Sequence, residues 1–295
     1  GAVYEGQFVD GKRHGEGTIT LPDGFTYTGA WRDGEIVGEG TATYANGDEY
    51  TGEFRDGKRH GRGVALYASG DRYEGEFADG KRHGEGRFEG ADGYVYEGDW
   101  VEGRIEGEGT ATYPNGSVYE GRFVDGSPNG EGRIQYADGG SYEGEWENGV
   151  ISGQGTARYA NGSVYTGTFE DGRHHGEGEM RYAEGHVYTG AWRGGLQHGQ
   201  GRITYPDGSV YEGGFAEGQR SGRGTLTLAD GFVYEGGWKD GQIHGEGTAT
   251  YPNGDVYEGM FANGRQHGLG VMTYASGEVF EGRWEEGTRA ERVTE

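Results

Sequence analysis

YEGDWVEGRIEGEGTATYPNGSV, residues 96–118, runs without a gap into YEGRFVDGSPNGEGRIQYADGGS, residues 119–141. Both stretches place Tyr, Glu-Gly, a second aromatic (Trp100 or Phe123) and four further glycines at the same offsets. The pattern holds outward in both directions. Tyr4, Tyr27, Tyr50, Tyr73, Tyr96, Tyr119, Tyr142, Tyr165, Tyr188, Tyr211, Tyr234 and Tyr257 stand 23 residues apart, and Phe280 takes the thirteenth place. Four residues after each comes Phe8, Trp31, Phe54, Phe77, Trp100, Phe123, Trp146, Phe169, Trp192, Phe215, Trp238, Phe261 or Trp284. A fixed period of this kind marks an array of small units, none of which buries enough surface alone, so that stability comes from stacking on neighbours.

Composition by itself argues the opposite. The 295 residues hold 68 glycines, only 31% are hydrophobic, and the net charge is −24, a profile typical of disorder. Aromatics nevertheless make up 13%, and disordered chains are poor in residues whose burial is so favourable. The repeat resolves the conflict: 62 of the 68 glycines fall in five columns that begin at Gly6, Gly11, Gly15, Gly17 and Gly24. They are structural punctuation, and the rings are the core.

Within a unit the pattern alternates with period two, which predicts strands. In the second unit Tyr27, Gly29 and Trp31 alternate with Thr28 and Ala30; then Gly38, Gly40, Ala42 and Tyr44 alternate with Glu39, Thr41 and Thr43. Each unit therefore reads as a hairpin. A six-residue loop, Arg32 to Val37, is expected between its strands, and a tight turn at Ala45-Asn46-Gly47 leads to the next unit. Thirteen first strands and twelve second strands give an expected meander of 25, extending on the order of 100 Å at ~4.8 Å per strand. The column begun by Ile19 is apolar in all twelve units and is expected to face inward with the rings. Glycines beside the rings leave slots in which a ring lies flat on the sheet.

The unit Tyr-Glu-Gly-x-Trp/Phe-x-x-Gly-x-x-x-Gly-x-Gly, as in Tyr96, Glu97, Gly98, Trp100, Gly103, Gly107 and Gly109, resembles the MORN repeat. The resemblance covers residues 1–287: twelve full units and a terminal half unit, followed by a charged tail at 288–295. It implies an all-β fold, an elongated single-sheet antiparallel meander solenoid, twisted and grooved. MORN arrays occur in junctional membrane proteins, lipid kinases, a histone methyltransferase and cytoskeletal scaffolds, so the resemblance implies a scaffold or attachment module. Protein or peptide binding along a groove, homodimerisation and phospholipid attachment are the behaviours it suggests.

Charge and composition exclude several classes. Fifty acidic against 26 basic residues disfavour nucleic acid, whose affinity comes largely from phosphate neutralisation, and oppose anionic lipid surfaces. Zero cysteines exclude disulfides and Cys-ligated metal and leave the compartment open. No apolar stretch approaches the ~18 residues of a membrane-spanning helix. Gly6 through Gly11-Lys12 resembles a phosphate loop only superficially, since Arg13 follows in place of Ser or Thr and no helix begins there. Repeated carboxylates such as Glu5 and Glu16 form ladders, whereas a catalytic pair is singular and sits in a pocket. No catalysis, cofactor or metal is expected.

Three features stand as candidate sites. Tyr96, Trp100, Tyr119, Tyr142, Trp146, Tyr165, Tyr188, Trp192, Tyr211, Tyr234 and Trp238 are expected to line an aromatic groove that receives a peptide or helix, because rigid rings offer large contact area at low entropy cost. Lys12, Arg13, Lys58, Arg59, Lys81 and Arg82 form a basic edge, suited to an acidic partner or to lipid headgroups. Valine precedes the aromatic in six successive late units, Val164 to Val279, on the outer face, where it serves sheet preference or a contact stripe. The leading expectation is a non-enzymatic binding scaffold. The alternatives are a membrane-proximal module using the basic edge, and the regulatory region of a larger enzyme.

Overall fold

The computed structural model describes residues 1–292 and contains 26 strands, β1 to β26 in chain order, and no helix. The fold is all-β, an open antiparallel meander of hairpins. It divides into two compact units, Gly1–Val150 and from Ile151 onward.

The hairpin differs from the sequence expectation at both of its connections. In the second repeat, β3 (Thr26–Arg32) and β4 (Glu35–Thr43) are separated by two residues, not six. Asp33 and Gly34 lie at φ of 50° and 94°, the double left-handed geometry of the primed hairpin turn, which Asp-Gly adopts readily. The longer connection is the one that leads to the next repeat: Tyr44 donates its amide to Asp48 and Gly47 donates to Tyr44, closing five residues. A seven-residue strand, a two-residue turn, a nine-residue strand and this five-residue connection make the period of 23.

The second strand is two residues longer than the first. The surplus is absorbed in a bulge, since Gly29 faces Gly40 and Trp31 faces Ile36, leaving Val37, Gly38 and Glu39 against Ala30 alone. Gly38 lies at φ 66°, a conformation that a side chain would strain, which accounts for its glycine column. Pairing between repeats has no such irregularity: β2 (Lys12–Thr20) and β3 match from Gly15↔Trp31 to Thr20↔Thr26. A further strand, β26 (Thr288–Arg292), pairs with β25 (Val279–Glu285), so part of the expected charged tail continues the meander and the strands number 26, not 25. Residues 293–295 of that tail lie outside the described residues.

The core is one layer of rings on one face of the sheet. Tyr27 meets Trp31 of its own repeat at 5.5 Å and Phe54 of the next at 5.1 Å, edge to face in both cases. The same zipper runs from Tyr4 to Trp146 in the first unit and from Tyr165 to Trp284 in the second. Glycine makes the slot. A Cβ on Gly40 would sit 2.4 Å from the Tyr27 hydroxyl, and one on Gly29 would meet Gly40 Cα at 2.7 Å. The Tyr27 hydroxyl donates to the carbonyl of Ala30 at 3.2 Å, and the Trp31 indole N–H donates to Gly17 at 3.1 Å, so these two buried polar atoms are matched; the indole N–H of Trp284 and Nδ1 of His14 are not. The column of Ile19 faces this core as expected: Ala42, Ala111 and Ala249 are fully covered and Met180 and Met272 nearly so.

Candidate functional site

The predicted groove rings are that core. Tyr96, Tyr119, Tyr142, Tyr165, Tyr188, Tyr211 and Tyr234 have 0% of their surface exposed, and Trp100, Trp146, Trp192 and Trp238 between 3% and 8%. In this conformation they offer no contact area to a partner. Periodicity placed them on one face, but it could not show that a Tyr such as Tyr96 is covered by Trp100 of its own repeat and by Phe123 of the next. Burial raises the phenol of Tyr27 to about 12, helped by the neighbouring Glu16 carboxylate, and that of Tyr234 to about 12.

The basic edge separates into two groups. Lys12, Lys58 and Lys81 are exposed, and Lys81 stands 3.7 Å from Glu102. Arg13, Arg59 and Arg82 instead turn onto the rings. Arg13 lies 4.3 Å over Trp31 and Arg82 4.2 Å over Trp100, while Arg59 and Arg82 donate to the carbonyls of Gly80 and Gly103 in the following turn. These arginines roof the core, a cation on a ring face contributing about 0.5–1 kcal/mol at partly exposed sites. Their column continues through Ile36, Ile105, Pro128 and Gln197, so its common property is coverage and not charge. His174 occupies the same column. It stacks on Tyr165 at 3.8 Å and is hydrogen-bonded to the Tyr159 hydroxyl at 2.6 Å, and burial pushes its imidazole down to about 4. Among the described residues no three His, Cys, Asp or Glu side chains converge as a metal site would require.

The opposite face has no rings. It carries the columns that begin at Val3, Glu5, Gln7, Glu16, Thr18 and Thr20, with threonines hydrogen-bonded across strands, as in Thr18 to Thr28 at 3.0 Å and Thr156 to Thr166 at 3.2 Å. Each unit has a trough here, floored by the backbone of the paired glycine columns. In the first unit a cavity of about 550 Å³ runs over Gly86, Gly98, Gly109 and Gly121 between Glu85, Glu97, Glu108 and Glu120. In the second, about 1160 Å³ lies over Gly213, Gly224, Gly236 and Gly247, lined by Glu212, Arg223, Thr225, Glu235, Glu246, Met260 and Leu269. Sequence reasoning read the carboxylates of this face only as repeated ladders. The signal for the trough lay in the regular glycine columns, since Gly213, Gly224, Gly236 and Gly247 form its floor.

The MORN repeat profile matches the chain twelve times, at residues 4–26, 27–49, 50–72, 73–93, 96–118, 119–141, 142–164, 165–187, 188–210, 211–233, 234–256 and 257–279. The chain belongs to the MORN-repeat family. No curated protein matches it. Among solved structures, it is similar to the TCP10 domain of Danio rerio CPAP in complex with a peptide of STIL, at 12% identity over 96% of this chain and 100% of that one, with a TM-score of 0.33. The TCP10c domain of Drosophila melanogaster Sas-4 is similar at 16% identity over 60% of this chain and 99% of that one, with a TM-score of 0.32. At such scores neither neighbour bears on what this chain binds.

Proposed function

We propose that the chain is a non-catalytic protein-binding scaffold that receives extended segments of its partners on the ring-free face, in the two glycine-floored troughs. The observation that carries the reading is the division of labour between faces: the rings are consumed as core, while the opposite face has open backbone between walls of polar side chains. Glycine floors let another main chain approach closely, and the rigid strands hold the walls without an ordering cost on binding. The carboxylates repeat in columns and do not gather around one reacting position, which favours binding over catalysis.

The test is selection of peptides from a random library on the immobilised full chain, followed by affinity measurements on two variants. Thr110→Arg blocks the first trough and Thr225→Arg the second; both substitutions borrow a residue that the same column already holds at Arg87 and Arg202. Selected peptides are expected to lose roughly tenfold or more in affinity against one of the two variants. Peptides indifferent to both changes but lost when Lys58 and Lys81 become glutamate would move the site to the basic edge.

A further inference from the structure

Resting on that reading, we infer that the trough of the second unit takes an extended segment of a partner protein that is aliphatic at one end and lysine- or arginine-rich at the other. Three observations give the occupant its chemistry.

The first is the floor. Across strands, Gln200 stands opposite Gly214 and Arg223 opposite Gly237, so one side of each pair has no side chain. In the first unit the same column holds Glu53 and Asp99, whose carboxylates fold back to accept from the amides of Arg62 and Glu108. At Gly214 and Gly237 no side chain rises over the sheet in this way; the bulge carbonyls of Ser221 and His244 stand where a Cβ would be, and the trough floor is the backbone of Gly213, Gly224, Gly236 and Gly247, along which a main chain can lie flat. From Gln200 on β18 (Leu196–Thr204) to Leu269 on β24 (Arg265–Thr273) the trough crosses seven strands. That span is at most about 29 Å, or roughly nine residues of extended chain.

The second is the apolar end. Met260 and Leu269 line the trough at 40% and 64% exposure, in columns that elsewhere hold Thr168, Glu177 and Glu246. Neighbouring exposed aliphatics inside a concavity call for an apolar side chain to cover them. The third is charge. Glu212, Glu235 and Glu246 line the remainder beside Arg223; Glu212 pairs with Arg202 at 3.6 Å, and among the described residues neither Glu235 nor Glu246 forms an ion pair within 4.0 Å. A cationic side chain laid there gains partners without displacing an existing pair.

The probe is a synthetic peptide of about nine residues, aliphatic at one end and lysine-rich at the other, titrated by fluorescence anisotropy into the full chain at about 0.15 M salt. Two control peptides replace its aliphatic residues with serine or its lysines with glutamate. Met260→Thr with Leu269→Glu removes the apolar end using residues native to those columns, and Glu85→Gln with Glu108→Gln alters only the first unit's trough. The inference expects a loss of roughly tenfold or more for both control peptides and for the Met260/Leu269 variant, with little change for the first-unit variant. Equal binding by the Met260/Leu269 variant overturns it, as does failure of the probe to bind at all; peptides selected from the library would then still locate the general site. Light scattering supplies the remaining arm. If the unaltered chain is dimeric and the Met260/Leu269 variant monomeric, the occupant is a second copy of this chain and the inference fails.

Discussion

In the six columns of the ring-free face that begin at Val3, Glu5, Gln7, Glu16, Thr18 and Thr20, sixteen carboxylates stand against five arginines within Gly1–Val150, and seven against five from Ile151 onward. The arrangement differs as well as the count. In the first unit Glu39 faces Glu53 and Glu85 faces Asp99 across adjacent strands, placing like charges where they repel. At the same register in the second unit Glu177 faces Ala191, Arg223 faces Gly237 and Glu246 faces Met260. The ring faces are alike: Tyr96 and Tyr211 are both fully covered, and each meets the aromatic of the next repeat at 5.0–5.1 Å. The core is thus held constant while the bare face varies freely. In an array whose stability resides in nearest-neighbour ring contacts, the other face is released from any folding duty and can be specialised unit by unit.

The largest effect expected is alkaline unfolding, and it should strike both units together. Phenols ionise near 10 in an unfolded chain, whereas burial raises Tyr27 in the first unit and Tyr211 in the second to about 12. The unfolded chain therefore gives up these protons first. Stability is full below pH 10 and falls as pH rises toward 12, summed over every buried tyrosine. Circular dichroism and the tyrosinate absorbance of the eleven fully covered tyrosines should change in one transition inside that window. Tyrosinate from all 22 tyrosines with the strand signal intact, the eleven fully covered ones included, would mean that the rings are open to water, and the common-core half of the comparison would fall.

Filling a ring slot comes next. A Cβ on Gly109 would lie 2.4 Å from the Tyr96 hydroxyl, and one on Gly224 the same distance from that of Tyr211. Neither ring has room to retreat, so Gly109→Ala and Gly224→Ala are each expected to cost about 3 kcal/mol in urea titrations, with nearly equal values. A difference larger than about 1 kcal/mol would show that the units differ in core as well as in face.

The smallest effect separates the units. Glu39→Gln relieves the opposition to Glu53 and should stabilise the chain by about 0.5 kcal/mol at low salt, a gain that fades as salt rises. Gln200→Glu, set against Gly214 in the second unit, should change nothing measurable. Equal responses at the two positions would remove the electrostatic distinction between the faces.

How far the sequence carries can be judged residue by residue. The Tyr columns, the inward run begun by Ile19 and the MORN family were legible because each imposes a spacing on the chain. The turns were not read correctly. The alternation fails at Gly38, and a strand that keeps running through a bulge looks like a loop when only period two is sought, so Asp33-Gly34 was lost inside a six-residue gap. The arginines were misjudged for a related reason. Arg13, Arg59 and Arg82 count as surface charge in a sequence, and only the position of the next repeat's ring turns them into a roof.

By itself the sequence determined the unit, its period, the face on which the rings lie and the glycines that make room for them, since all of these are local consequences of strand periodicity and side-chain volume. Tertiary structure decided which surface remains for a partner. Tyr27 is covered by Phe54 and Tyr211 by Trp238, each 27 residues away in the next repeat, and each trough forms where strands from successive repeats lie side by side. The opening reading, in which the rings wait in an open groove, gives way to one in which they are spent on the fold and the plain face of glycine, threonine and glutamate is left uncovered.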